Sequence, residues 1–154
     1  MTNITYYSYI ILLSLTLLFS TSCKKDKDQK RLSITLYDKP LSIIKSYIQG
    51  NWQLHYGKGG ICSICIQNYE NSYFKFPHGD SIRITTNNVT YTNTAIEWIN
   101  DSGIYTNKVP TFTMNFKDLR GYPNIYIVKE IANDTLILKS YGADPVSFYF
   151  TKAR

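Results

Sequence analysis

The chain has 154 residues and a formal net charge of +6, with 17 Lys and Arg residues against 11 Asp and Glu residues. That length suffices for one domain and is short for two. From Lys45 onward only eleven basic residues face eight acidic ones. Because no basic stripe is interleaved with aromatic residues, we expect no nucleic-acid-binding surface.

The N-terminal segment has the order of a secretory signal peptide. Residues 1–22 contain no Asp, Glu, Lys or Arg. Their apolar run, residues 10–19, would rise only about 15 Å as a helix, about half of a bilayer core, so we expect no permanent membrane span. Small residues at 20–22 precede Cys23, as at a cleavage site. We predict a signal peptide over residues 1–22. For Cys23 itself, the alternatives to a modified residue are an ordinary secreted protein, in which it lies near the N-terminus after cleavage, and a transmembrane anchor.

A polar stretch follows Cys23. Residues 23–31 contain no apolar side chain after the cysteine and hold five of the seventeen basic residues. Such a stretch cannot fold by burying apolar surface. Residues 32–37 then alternate between apolar and polar side chains, as an edge strand or an extended lead-in does. We predict a flexible tether over residues 23–37 and a folded domain over residues 38–154.

The domain is predicted to open with a short helix. Leu41, Ile44 and Ile48 fall at i, i+3 and i+7, which gives one apolar side. Asp38 is placed to accept hydrogen bonds from the first turn. Gly50 suits the positive φ that ends many helices. The result is a helix of about two turns, too short to be stable unless it docks on another element.

After Gly50 the apolar period changes from 3.6 to 2. Short alternating runs with brief turns begin at Trp52 and continue to the C-terminus, and residues 111–116 are the clearest example. No long helical pattern separates the runs, which argues against parallel βαβ units. We predict an all-β fold, an antiparallel eight-stranded up-and-down barrel with a short N-terminal capping helix, because closure removes exposed strand edges. Eight strands enclose either packed side chains or one small ligand.

Two motifs carry a resemblance to known families. Cys23 after small residues resembles the bacterial lipobox, which implies cleavage before Cys23 and its acylation, and so a multi-chain lipid anchor. The helix followed by Gly50-Asn51-Trp52 resembles the first-strand signature of lipocalins, in which the Trp plugs one barrel end. Together they resemble the lipocalin-like lipoproteins of Gram-negative bacteria. The resemblance implies that Lys152 or Arg154 stacks over Trp52, and it implies an outer-membrane location.

Cys62 and Cys65 allow more than one interpretation. On a straight strand, residues i and i+3 lie about 10 Å apart, beyond the Cα spacing of a disulfide, so a bridge would need a turn here. A structural disulfide is the leading interpretation in an oxidising compartment. A redox-active pair and a zinc site completed by His55 and His78 are the alternatives.

We find no catalytic motif and expect no enzyme, cofactor or metal. The leading hypothesis is a monomeric, membrane-anchored lipoprotein that binds a small apolar or amphipathic ligand in its barrel. Six residues could line the site: Tyr56, Tyr69, Tyr73, Tyr91, Phe112 and Met114. The alternatives are a structural or protein-interaction lipoprotein with a filled barrel, and an envelope thiol–disulfide protein using Cys62 and Cys65.

Overall fold

The computed structural model describes residues 31–62 and 64–153. Within these residues the chain forms ten strands, one α-helix and one 3-10 turn. Helix α1 covers Leu41–Ile48, and the 3-10 turn covers Ile104–Thr106. The strands, in chain order, are β1 Ile34–Thr35, β2 Gly50–Gly59, β3 Ile66–Phe76, β4 Ser81–Thr86, β5 Val89–Ala95, β6 Glu97–Asp101, β7 Thr111–Lys117, β8 Pro123–Ala132, β9 Thr135–Ser140 and β10 Val146–Lys152.

The strands form one antiparallel sheet in the order β5-β4-β3-β2-β10-β9-β8-β7-β6, with β1 paired to β8. Neighbours along this path are neighbours in the chain, except that β2, the first long strand, pairs with β10, the last. The predicted antiparallel all-β architecture is therefore confirmed. The sheet curls into a half-barrel, and its hydrogen-bonded path ends at β5 and β6.

The prediction of eight strands was wrong, since the described residues form ten. Ile34–Thr35 add a short strand beside Ile131 and Glu130 of β8. The chain also bends at Ile96, whose N–H donates a hydrogen bond to the carbonyl oxygen of Asp80 at 2.8 Å. This bend divides one long β segment into β5 and β6, which lie at the two ends of the hydrogen-bonded path.

Helix α1 begins one residue after Pro40, which occupies the N-cap. Proline is tolerated at a helix start because its missing N–H would have no intrahelical partner there. The predicted cap by Asp38 was wrong. Its carboxylate lies two residues before the N-cap and pairs instead with Lys39 Nζ at 3.1 Å, and no described side chain caps the helix.

The apolar side of α1 docks on the start of β2. Ile44 and Ile48 are fully buried, and Trp52 is almost fully buried beside them. Trp52 Nε1–H donates a hydrogen bond to the carbonyl oxygen of Ile48 at 2.6 Å. Gly50, between them, has φ +118°, a backbone angle that side chains with a Cβ rarely adopt. The helix, the turn and the buried Trp thus close one end of the curled sheet.

The core lies between α1 and the concave face of the sheet. Its side chains come from the helix and from alternate strand positions, as the pleat requires. The main buried members are Ile44, Ile48, Trp52, Phe74, Phe76, Ile82, Met114, Phe116, Leu136, Leu138 and Phe150. Phe112 and Phe148 pack against this cluster while keeping partial exposure.

The folded unit begins earlier than the predicted boundary at residue 38. Leu36 is fully buried in the core. The N–H groups of Leu36 and Tyr37 both donate hydrogen bonds to the carbonyl oxygen of Lys129, at 2.9 and 3.0 Å. The Tyr37 hydroxyl donates to the carbonyl oxygen of Thr106, and the Thr111 hydroxyl donates to that of Tyr37. Residues 34–37 are therefore part of the domain, because Leu36 is buried in its core and the backbone N–H groups of Leu36 and Tyr37 are hydrogen-bonded to it.

Replacing Leu36 by Ala should lower the free energy of unfolding of the full-length chain by about 2–5 kcal/mol, because it leaves a cavity in the core. Denaturant unfolding measures this. The matched control is Leu32→Ala, since Leu32 is 39% exposed and should change stability by no more than about 0.5 kcal/mol. Equal effects of the two substitutions would contradict the placement of residues 34–37 in the fold.

Candidate binding site at the open end of the sheet

The two ends of the half-barrel differ in how they are covered. Helix α1 and Trp52 close the end where β2 begins. Because neighbouring strands alternate in direction, the connections after β2, β4, β7 and β9 lie at the opposite end. We call this the open end. It carries the turn with Cys62 and Cys65, the turn at 87–88, the loop 118–122 and the turn at 141–145.

A solvent-open cavity of about 300 Å³ lies at the open end, on the concave face of the sheet. Leu54, Phe74, Ile84 and Phe148 supply its apolar wall. This cavity remains open even though the five large side chains that could have filled the half-barrel all belong to the core or pack against it. These side chains are Phe112, Met114, Phe116, Phe148 and Phe150. They fill the region toward α1, and the cavity begins at Phe148.

Three tyrosines line this cavity, Tyr69, Tyr91 and Tyr126, and Tyr69 and Tyr126 are the more buried of them. Tyr126 packs against Phe116 and Phe148, with ring centroids 5.8 and 5.7 Å apart, and Tyr69 lies 6.2 Å from Phe148. Burial, with a smaller effect of the neighbouring Tyr69, raises the pKa of Tyr126 to about 12. Burial also raises the pKa of Tyr69. Both phenols therefore stay protonated throughout the neutral range.

The hydroxyls of the cavity wall differ in their hydrogen bonding. Ser72 Oγ and Thr86 Oγ1 lie 2.9 Å apart, and one of these hydroxyls donates a hydrogen bond to the other. Within residues 31–62 and 64–153, the hydroxyls of Tyr69 and Tyr126 make no hydrogen bond to protein. A partly buried phenol without a protein partner is a donor available to a bound molecule or to water.

The loop 118–122 forms one rim of the cavity. Asp118 accepts hydrogen bonds from the N–H groups of Arg120 and Tyr122, each at 2.9 Å. Burial alone would raise the pKa of Asp118, but these hydrogen bonds and the Arg120 charge lower it, so the carboxylate stays ionised. The Arg120 guanidinium lies 3.4 Å from that carboxylate and 5.3 Å from the centroid of Tyr122. Leu119 N–H donates to the carbonyl oxygen of Tyr91 at 2.9 Å, which holds the rim against β5.

The residues predicted to line a ligand site lie in three places: the cavity, the outer face of the sheet and the filled region toward α1. Tyr69 and Tyr91 line the cavity. Tyr56 stacks on Tyr149 at 4.4 Å on the outer face. Tyr73 also lies on the outer face, beside Lys75 and Arg83 in a second solvent-open pocket of about 450 Å³. Phe112 and Met114 belong to the filled region of the barrel.

Two irregularities explain these positions. In β2, the register shifts between Leu54 and Tyr56, so that Leu54 pairs with inward Phe150 but Tyr56 pairs with outward Tyr149. In β3, Asn71 has φ +51°, and the strand changes phase near it, so Tyr69 and Ser72 both face inward. An extra residue in one strand reverses the facing of every side chain beyond it.

Sequence reasoning did not single out Tyr126, Ser72 or Thr86. Tyr126 lies in a nearly continuous apolar run of β8, where alternation does not show which residues point inward. The residue of β3 that could have indicated the change of phase is Asn71, since asparagine tolerates a positive φ better than most residues. An Asn inside a run of strand-forming residues would have indicated the phase change.

The residues of the predicted first-strand signature meet the last strand at the closed end. Lys152 Nζ lies 4.4 Å from the ring centroid of Trp52 and donates a hydrogen bond to the carbonyl oxygen of Gln49 at 2.6 Å. Burial lowers the pKa of Lys152. A Cβ at Gly50 would lie 2.8 Å from this ammonium, so glycine at that position also makes room for it. Arg154, the other predicted stacking residue, lies outside the described residues.

Cys62 and Cys65 lie at disulfide distance, with sulfur atoms 2.19 Å apart and Cα atoms 5.3 Å apart. The chain turns between them, because Cys65 N–H donates to the carbonyl oxygen of Cys62 at 2.9 Å. His55, the nearest candidate for a third zinc ligand in sequence, pairs with Thr151 Oγ1 at 2.8 Å. The described residues contain no group of three or more His, Cys, Asp or Glu side chains that could hold a metal ion.

The cysteine turn exposes three large apolar side chains to solvent. Ile61 is 95% exposed, Ile64 80% and Ile66 60%. Single exposed apolar residues are common, but a group of three at the tip of one turn is not. The open end therefore combines a cavity with an apolar tip.

The comparisons with known proteins give no match: no family model, no curated protein and no solved structure is similar to this chain at a significant level. Among the described residues no helix is both long and apolar enough to cross a membrane. The predicted signal peptide over residues 1–22 and the predicted acylation of Cys23 lie outside the described residues.

A double variant, Cys62→Ser with Cys65→Ser, should lose at most about 2 kcal/mol of unfolding free energy, because a bridge between residues three apart closes only a very short loop. Denaturant unfolding of the full-length chain under oxidising conditions measures this. The reduced wild-type chain is the control and should match the variant. Catalysed reduction of a disulfide substrate by the wild-type chain would contradict the structural role.

The raised pKa of Tyr126 should make the protein less stable at alkaline pH. The free phenol titrates at pH 10.0 and the folded one at about 12, so the unfolded chain loses its proton first. This contribution to stability is complete below pH 10 and is lost as pH rises from 10 to 12, by up to about 3 kcal/mol.

Unfolding free energies of the wild type and Tyr126→Phe, measured between pH 9 and pH 12, test this expectation. The wild type should lose more stability than the variant over that interval. Tyr56→Phe, which removes an outer-face phenol, is the control. Parallel curves for the wild type and Tyr126→Phe would contradict the buried, protonated state of Tyr126.

Proposed function

We propose that this protein is a lipid-anchored envelope lipoprotein with a lipocalin-like β-barrel, which binds a small apolar or amphipathic molecule at its open end without catalysis. The observation that carries this proposal is the cavity of about 300 Å³, walled by apolar and aromatic side chains and lined by three tyrosines. Ligand sites typically combine a concave apolar wall with a few polar groups that fix orientation.

The closed end supports a lipocalin-like arrangement. A short helix, a glycine with positive φ, a buried Trp and a cation over its ring occur together at α1, Gly50, Trp52 and Lys152. Such a cation–π contact contributes about 0.5–2 kcal/mol. With this end plugged, a ligand would enter from the other end, where the cavity lies.

The chemistry of the cavity favours binding over catalysis. Among the residues that line it, the carboxylate of Asp118 is engaged by two backbone N–H groups and by Arg120. The remaining polar groups of the cavity are hydroxyls and an amide, which orient ligands but are weak general bases. Transport or sequestration of a ligand needs no more than this.

The order of apolar run, small residues and Cys23 supports attachment to a bilayer. Acylated Cys23 would hold the protein on the outer membrane, and the polar stretch after it would act as a spacer. We propose a monomer that contacts the bilayer through this anchor and holds no cofactor.

Binding of 1-octanol, a neutral amphipath, tests the ligand proposal. We expect the full-length chain, in one fixed detergent concentration, to give saturable shifts of methyl and aromatic NMR signals from the cavity wall. Ile84→Trp should weaken binding at least tenfold, because the larger ring occupies the cavity. Ile43→Trp, on the exposed side of α1, should bind as the wild type does. No saturable binding to the wild type would refute the ligand proposal.

A second function is favoured by a specific observation. The exposed Ile61, Ile64 and Ile66 give the open end an apolar tip, which suits a protein partner. In that case the cavity is incidental, and the protein is an interaction lipoprotein. The octanol experiment separates the two functions, since an interaction surface formed by the tip does not require a ligand in the cavity.

A further inference from the structure

We propose that the ligand of the open-end cavity is a neutral, single-ring aromatic compound carrying a carbonyl-type oxygen, and that the hydroxyls of Tyr69 and Tyr126 donate hydrogen bonds to that oxygen. This inference rests on the proposed function, because it assumes that the cavity binds a small molecule. It narrows the ligand from any small amphipath to one chemical class.

The size of this solvent-open cavity suits a ligand of about one ring. A protein cavity of about 150 Å³ can hold benzene, and this cavity measures about 300 Å³. A substituted benzene or a small quinone therefore fits. A long acyl chain or a fused-ring system would extend out of the cavity and leave apolar surface in water.

The walls favour an aromatic body. Phe74, Phe148 and Tyr126 present their rings to the cavity, and Phe148 already makes an edge-to-face contact with Tyr126 at an interplanar angle of 73°. Aromatic rings prefer such edge-to-face or offset arrangements, which add to the energy of apolar burial. A third ring can continue this pattern.

The polar groups favour a hydrogen-bond acceptor. Ser72 and Thr86 are hydrogen-bonded to each other, whereas the phenol hydroxyls of Tyr69 and Tyr126 make no hydrogen bond to the described part of the chain. Both phenols keep their protons at neutral pH, so both can donate. A carbonyl oxygen has two lone pairs and can accept from both donors at once.

The charges around the cavity favour a neutral ligand. Arg120, a cation at the rim, is already paired with Asp118 and stacked over Tyr122. An anion bound beside the two phenols would lose its hydration without gaining an unpaired cation, and such burial of a charge is costly. A carboxylate or phosphate ligand is therefore disfavoured relative to a ketone or quinone.

Acetophenone and α-methylstyrene provide a direct test, because they share size and shape and differ in one oxygen. Dissociation constants are measured by NMR titration of the full-length chain at one fixed detergent concentration. Each compound partitions into the micelles to the same extent for every variant. Ratios of the dissociation constants between variants therefore report only on binding to the protein. We expect Tyr126→Phe and Tyr69→Phe each to weaken acetophenone binding about 2- to 13-fold, the range for one hydrogen bond.

The same substitutions should leave α-methylstyrene binding unchanged or tighter, which also shows that the variants are folded with an intact cavity. Tyr56→Phe, on the outer face, is the matched control and should change neither constant. If both compounds bind and neither Tyr69→Phe nor Tyr126→Phe alters their ratio, the assigned ligand class is wrong while the proposed function stands. If neither compound nor 1-octanol binds the wild type, the proposed function itself fails.

Discussion

The pairing of β2 with β10 is the constraint on which the rest of the sheet depends. Without it the described strands would divide into two runs, β5-β4-β3-β2 and β10-β9-β8-β7-β6. Trp52 and Lys152 are partners in this register, and the Lys152 ammonium also lies over the Trp52 ring. The contact between Trp52 and Lys152 thus joins the last strand to the first long strand. The same contact lies at the end of α1 and borders the core. Contacts so distant in sequence are costly to form in loop-closure entropy, and they depend on the apolar burial that follows them.

The position of the cavity follows from two local irregularities in that sheet. The register shift in β2 moves Tyr56 to the outer face, and the phase change near Asn71 of β3 turns Tyr69 inward. Because side chains alternate with a period of two, one extra residue exchanges the inner and outer sets beyond it. A regular β2 would have turned Tyr56 inward, and a regular β3 in phase with Ser72, Phe74 and Phe76 would have turned Tyr69 outward.

The two ends of the half-barrel are filled to different extents. Among the described residues every fully buried side-chain N or O atom has a hydrogen-bond partner, so the hydroxyls of Tyr69 and Tyr126 keep contact with water. The region toward α1 is filled by apolar side chains such as Met114 and Phe150. A well-packed closed end therefore contrasts with an open end where apolar and hydroxyl-bearing side chains line a solvent-open cavity.

The sequence alone determined the antiparallel all-β class, the short helix, the positive φ at Gly50 and the need for a turn between Cys62 and Cys65. These features depend on local periodicity and on backbone sterics, which a few neighbouring residues specify. The tertiary structure alone decided that residues 34–37 belong to the domain, that the meander divides at Ile96, and that Tyr126 lines the cavity while Tyr56 does not. These outcomes depend on register between strands that are distant in the chain, and register changes at irregularities that leave little trace in the apolar pattern.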